Sequence, residues 1–456
     1  MTSEPTTTPL NLSAISDVLD LGEDGVQASL ATVADTRAIF DQRGLQFRPV
    51  PGYPQERYAP WGDDNRLPYL LRELIGSDEV TAQNKLFNVL TCYGQGLRLA
   101  DADDAEKAPA TVRAEALDWC ERCGMDTYLL EQATDLKYYF FTVSVLILSR
   151  DGRRINRLVH KDACFCRLRE ADARGRLRHV YYADWTAQPL GPGAVERIPL
   201  LPAYDPLGEL ERLMGRAPGR DGLSRVRTQQ RKFALLTRFP TVGCQYYPTP
   251  YYAAMFRGGS YDEKRLISAA KTAKLRNHAS VKYQVEVLRG YWERIIDEER
   301  ITDEAEKCAR IKKEKENIRD FVAGVHNSGK AWITNYYVNP MGHEERDVRV
   351  FNIEGAKEGG DYADDINVAA NTLCYADNTH PNLVGAVPGK SQNNNSGSDK
   401  RELFTMKQAL ERPYKDLLLR PMRLCLRYNG WQALRPEIPI TQLTTLDQHR
   451  DAVESL

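Results

Sequence analysis

Hydrophobic positions change period several times along the chain, and the changes mark its elements. Between 61 and 99 the spacing is helical. Leu67, Leu70, Leu71 and Leu74 share one face, and Ala82, Leu86, Val89 and Leu90 share the packing face of a second helix that stops at Gly94 and Gly96. A further helix is expected over 111–136. The period then shortens to two: 143–148 and 154–159 read as strands around the turn Arg150-Asp151-Gly152, and 164–169 and 177–182 extend the same sheet.

The second half returns to helical spacing. Residues 212–232 form a basic stretch, with Arg212, Arg216, Arg220, Arg225, Arg227, Arg231 and Lys232 around Pro218, Gly219 and Gly222, which reads as a solvated loop and helix face. From 261 to 278 a stripe of Leu266, Ala269, Ala270 and Ala273 suits close helix packing, while Lys264, Lys271 and Lys274 lie away from it. Residues 281–287 alternate as a strand and lead to Tyr291 and Trp292. A second helix starts near Asp303, where Glu306 completes a capping box, and carries Cys308, Ile311, Ile318, Val322 and Val325 before Gly324 and Gly329 stop it. Strands over 331–338 and 348–353 follow, then a helix with Tyr362, Ile366, Ala369, Ala370 and Leu373 on one face. After a polar stretch over 378–398, a long helix over 399–428 places Leu403, Leu410, Tyr414, Leu417, Leu424 and Tyr428 in register, with Pro413 and Pro421 as kink points. The expected class is therefore α+β. Residues 1–60, rich in Thr, Pro and Asp with one amphipathic stretch at 15–31, read as a partly flexible arm.

Composition narrows the function. With 62 Lys and Arg against 63 Asp and Glu, the overall field cannot hold nucleic acid tightly, so any DNA contact must be local or weak. The start lacks a basic and apolar signal, and the longest apolar run, 138–148, is too short to span a bilayer, so a soluble, cytosolic protein without membrane contact is expected. Most of the nine cysteines read as core thiols: Cys120 and Cys123 fall in a helix and Cys164 and Cys166 in a strand, and core packing is favoured over zinc. The seven histidines are isolated, and His160 and His326 read as structural. Gly385-Ala386-Val387-Pro388-Gly389-Lys390-Ser391 imitates a phosphate-binding loop. It has three residues between its glycines where that loop needs four, Val384 stands where the first glycine belongs, and asparagines follow instead of a helix. No catalytic residue, metal or cofactor is expected.

Three segments carry a family resemblance. They are His380-Pro381-Asn382-Leu383-Val384-Gly385, then Asn393-Asn394-Asn395-Ser396-Gly397-Ser398, then Arg401-Glu402-Leu403-Phe404. With the order helix, strand excursion, long helix, strands, helix, polar loop, long helix, they resemble the portal proteins of tailed bacteriophages. Phe321-Val322-Ala323-Gly324-Val325-His326-Asn327-Ser328-Gly329-Lys330 is similar to the point where a portal stem helix ends. The resemblance covers 240–430, with a weaker likeness over 135–185. It implies an N-terminal arm at 1–60, a wing at 61–260, stem helices at 261–279 and 303–325, and a small β-containing clip at 280–302 between them. A return to the wing at 326–377, a tunnel loop at 378–400, and a long helix with a short helical crown at 401–456 complete the division. It further implies a homo-oligomeric ring, commonly of about twelve subunits, at the capsid portal vertex of the virion, assembled in the host cytoplasm. Double-stranded DNA would pass through it without sequence readout. Partners would be the terminase large subunit, the major capsid and scaffold proteins, and later the head-completion proteins.

Two groups of residues then acquire roles. A loop facing moving DNA should touch phosphate without trapping it, and amides and hydroxyls do so without the affinity that each engaged cation adds. Lys390, Gln392, Asn393, Asn394, Asn395 and Ser396 suit that, with Gly389 and Gly397 letting the loop yield; a surface loop without this role has the same composition. In the clip, Tyr283, Glu286, Arg289, Tyr291 and Trp292 suit a terminase or connector interface, or equally a local core for the excursion. The competing functions are another virion structural protein, such as a minor head or head-completion protein, and a nucleotide-dependent DNA enzyme using 385–391.

Overall fold

The computed structural model describes residues 45–441, apart from 103–106, 188–189, 192, 220–221, 245, 279–282, 324–335, 339–343, 353–360 and 385–396. The chain divides into two compact units, 1–264 with 366–456, and 265–365.

The larger unit opens with a hairpin of β1 (Arg48–Val50) and β2 (Tyr53–Tyr58). Helix α1 (Leu67–Gly76) follows, started by a proline in its first turn, where a missing N–H costs nothing. Asp78 caps α2 (Glu79–Tyr93) by accepting the Val80 and Thr81 amides at 3.1 and 2.9 Å. Strand β3 (Arg98–Asp101) comes next. The helix expected over 111–136 is two helices, α3 (Ala110–Cys123) and α4 (Met125–Tyr139). Gly124, at φ +63°, ends one and begins the other; the apolar period runs through the break, so periodicity alone reads a single helix.

Strand β4 (Phe141–Leu148) and β5 (Ile155–Lys161) form the hairpin expected around Asp151-Gly152, with Gly152 at φ +72°. Strands β6 (Cys166–Leu168) and β7 (His179–Tyr182) do not extend that sheet as expected. They make their own antiparallel sheet with β8 (Glu196–Pro199), and β9 (Lys232–Arg238), beyond α5 (Pro206–Leu213), pairs with the other edge of β4. Strands β4 and β9 of the β5–β4–β9 sheet are buried on both faces, while edge strand β5 is partly exposed. Phe141, Val143, Val145, Ala234 and Leu236 enter one apolar cluster, and Leu146, Leu148, Phe233 and Leu235 enter another.

Short α6 (Ala254–Gly258) leads to α7 (Ser260–His278), which leaves the larger unit. Its first turns are fixed by buried Tyr261, whose hydroxyl donates to the Leu74 carbonyl at 2.6 Å, and by Lys264, paired with Asp78 and, at 2.7 Å, with Glu79.

The smaller unit contains β10 (Tyr283–Val287), α8 (Arg289–Glu298), α9 (Glu304–Ala323), β11 (Tyr336–Val338), β12 (Glu344–Arg346) and β13 (Val348–Asn352). Asp303 caps α9, accepting the Glu306 amide at 3.2 Å. Strand β10 pairs antiparallel with β13, Tyr283 opposite Asn352 and Val287 opposite Val348, so part of the expected wing return completes the strand excursion.

The chain re-enters the larger unit along α10 (Asp361–Ala376), passes α11 (Pro381–Val384), and runs through α12 (Gly397–Tyr428), which contains Pro413 and Pro421. After Gly430, at φ +84°, β14 (Leu434–Glu437) pairs with β3.

Candidate functional site

The expected DNA-facing residues Lys390, Gln392, Asn393, Asn394, Asn395 and Ser396 lie outside the described residues, as do the whole phosphate-loop imitation, 385–391, and His326. Before and after 385–396, Asp377, Asn378 and Thr379 on one side and Lys407 on the other are held by polar groups inside the larger unit.

Helix α2 supplies the platform. Of the face expected to pack, Val89 is buried but Leu86 and Leu90 are each 50% exposed, while Asn84, Lys85 and Asn88 are buried beside Val89. The inner face meets the residues just past an inward-facing helix end, Asp377 and Thr379, whose polar groups need hydrogen bonds that leucines cannot supply. Buried Lys85 pairs with Asp377, just past the end of α10, and its ammonium sits 3.0 Å from the centre of the Tyr252 ring. The Asn88 Nδ2 donates to the Asp377 carbonyl at 2.9 Å and to the Thr379 hydroxyl at 3.1 Å. From α12, Lys407 Nζ donates to Asn88 Oδ1 and, at 2.9 Å, to the Asn378 carbonyl. One turn on, Glu411 takes Lys407 at 3.1 Å and Lys137 of α4 at 2.5 Å, and Lys137 lies 3.3 Å from the Tyr414 ring centre.

Lys85, Lys137 and Lys407 thus share two carboxylates, Asp377 and Glu411, in a place water hardly reaches. Burial pushes the Lys85 ammonium down to about 8, with Asp377 opposing, and burial also lowers Lys407, with Glu411 opposing. Sequence reading missed these residues. The one local trace is polar side chains at interior helical spacing, Asn84 with Asn88 and Lys407 with Glu411.

In the smaller unit the clip residues divide. Tyr283 opens β10; Glu286 is exposed, in register with Arg349; Arg289 opens α8 and is exposed. Tyr291 and Trp292 are half-buried, their rings 5.4 Å apart. The Tyr291 hydroxyl donates to Glu314 Oε1 at 3.2 Å, and Lys315 lies 5.7 Å from the Trp292 ring, so both aromatics tie α8 to α9. Arg310 adds Glu299 at 2.9 Å and Glu314 at 2.8 Å to the same joint. Arg294, which the sequence reading passed over, pairs with buried Asp347.

The other candidates are core groups. Cys120, Cys164 and Cys166 are buried, and burial pushes the Cys120 thiol up to about 12 and Cys164 to about 11. His160 lies 3.2 Å from Asp135 and 2.7 Å from the Gln132 amide, and burial holds it down to about 4, neutral. Its Asp135 partner also accepts the Ala163 amide at 2.7 Å, which fixes α4 against the strands. Among the described residues no helix is long and apolar enough to cross a membrane.

No family model matches the chain, and no curated protein is similar to it in sequence. Solved structures are. A chain in the neck of an empty gene transfer agent particle, computed with C6 symmetry, matches with a TM-score of 0.51 at 13% identity, over 85% of this chain and 88% of that one. A chain in the virion of a native gene transfer agent particle matches with a TM-score of 0.52 at 12% identity, over 92% of this chain and 93% of the other. At such identity the likeness establishes fold: this chain has the mixed α+β, portal-like fold that its sequence resemblance implied, shared along nearly its whole length with chains of the gene transfer agent particle.

Proposed function

We propose that the protein is a non-enzymatic structural subunit of a virion, forming a closed ring at a capsid vertex through which double-stranded DNA is packaged and ejected. The observation that carries the reading is the near full-length fold shared with a chain in the neck of a particle described with rotational symmetry. The element order supports it: a helix leaving the larger unit, a strand and short helix, a long helix, and a return. So does α7, where Leu266 is 41% exposed and Ala270 is exposed in the single chain, as surfaces awaiting a neighbouring copy would be.

In this reading about twelve copies close the ring. Residues 390–396 face the DNA, and the exposed Glu286 and Arg289 with the edges of Tyr291 and Trp292 meet the terminase large subunit and then head-completion proteins. Capsid and scaffold proteins hold the ring in the virion after assembly in the host cytoplasm.

The test is the mass and shape of the purified chain by light scattering and electron microscopy. The expected result is annular particles, with a mass that is a multiple of 51.7 kDa, and an open channel. A chain that stays monomeric at high concentration, both alone and with capsid and scaffold proteins present, sinks the ring and favours a head-completion role.

A further inference from the structure

We propose that Asn88, with Lys85 and Lys407, is a positioning residue: the polar face of α2 fixes both ends of the chain excursion 380–406 to one rigid support. This rests on the reading of 390–396 as a DNA-facing loop, since it concerns what holds that loop at a set place.

The geometry is specific to the two ends. On the incoming side Asn88 holds the Asp377 carbonyl and the Thr379 hydroxyl, and Lys85 holds the Asp377 carboxylate. On the outgoing side Lys407 reaches back to Asn88 and to the Asn378 carbonyl, so the two strands of chain are also bonded to each other. Only one orientation of the Asn88 amide works, because a flipped amide would set its NH2 against the Lys407 ammonium and its oxygen against the Asp377 carbonyl.

The support is itself fixed. Helix α2 packs Val89 and Cys92 against Leu129, Ala133 and Leu136 of α4, and its first turn is capped by Asp78, which also takes Lys264. A purely apolar contact tolerates sliding, whereas a buried network of directional bonds is satisfied in one register. For a loop meant to yield to DNA along its length while staying at one radius of a channel, a base locked in register is the property required.

The experiment replaces Asn88 by Leu, which keeps the branched shape and removes the three bonds, and follows amide hydrogen exchange of the full chain. The expected result is exchange about tenfold faster or more at 377–384 and 397–407, with β4, β5 and β9 unchanged, since a local opening costs less than global unfolding. In particles assembled with the variant, packaged DNA should be shorter or leak. Thr379→Val, which removes one partner at the edge of the network, gives the same pattern more weakly and serves if Asn88→Leu does not fold. Unchanged exchange at the two flanks overturns the proposal, and so does equal acceleration across the whole unit, the sign of an ordinary stability effect. Loosened flanks with normal DNA content uphold the anchor and instead remove the DNA-facing role of the loop.

Discussion

Lys85 must keep a charge where water is scarce, and its behaviour with pH reports that. Burial holds the folded-state value near 8, below the ordinary 10.5. Between those values the unfolded chain binds the proton that the folded chain has released, so stability rises as pH rises through that window. The difference corresponds to roughly 3 to 4 kcal/mol over the whole window, at about 1.4 kcal/mol per pKa unit. Urea unfolding followed from pH 8 to 9.5 should show the parent chain gaining stability relative to Lys85→Met as pH rises, the buried thiols, which lose stability over the same range in both chains, cancelling in the difference. Parallel pH profiles for the two would show that Lys85 is not the group responsible. None of this could be read locally: Lys85 sits beside Leu86 in a helix whose apolar residues suggested the opposite face, and only its distant partners Asp377 and Tyr252 explain why the lysine is inside and the leucine out.

Among the elements, Gly124 shows how one backbone position decides architecture. Its amide closes α3 on the Glu121 carbonyl at 2.9 Å, and its left-handed conformation redirects the chain into α4. A Cβ there would meet nothing within 4 Å, so Gly124→Ala should cost only the backbone term, about 1 kcal/mol, seen as a lower urea midpoint with an unchanged slope. A more stable variant would mean the break between α3 and α4 is not needed. The hairpin at Asp151-Gly152 was legible because its turn chemistry is local, and so was the Asp303 cap of α9. The separate β6–β7–β8 sheet was not, since alternation marks each strand without naming its partner, and β4 pairs with β9, far along the chain. The pairing of β10 with β13 is hidden for the same reason: alternation marks a strand without naming its partner.

For the whole molecule, the segment 385–396 is the point where the proposed function can fail independently of assembly. Shortening 389–397 should leave ring formation intact by electron microscopy while reducing the length or retention of packaged DNA; normal DNA in such particles would remove the tunnel-loop role. The order of elements that suggested this function, the α+β class, and the extents of α7, α9 and α12 follow from sequence alone, because helical and strand periods, caps and turns are set by neighbours a few residues apart. Tertiary structure alone decided which side of α2 is buried, which strands share a sheet, and that Asp377, Thr379 and Lys407 converge on Asn88. Those outcomes depend on groups far apart in sequence satisfying buried hydrogen bonds and charges together, a condition that no local pattern records.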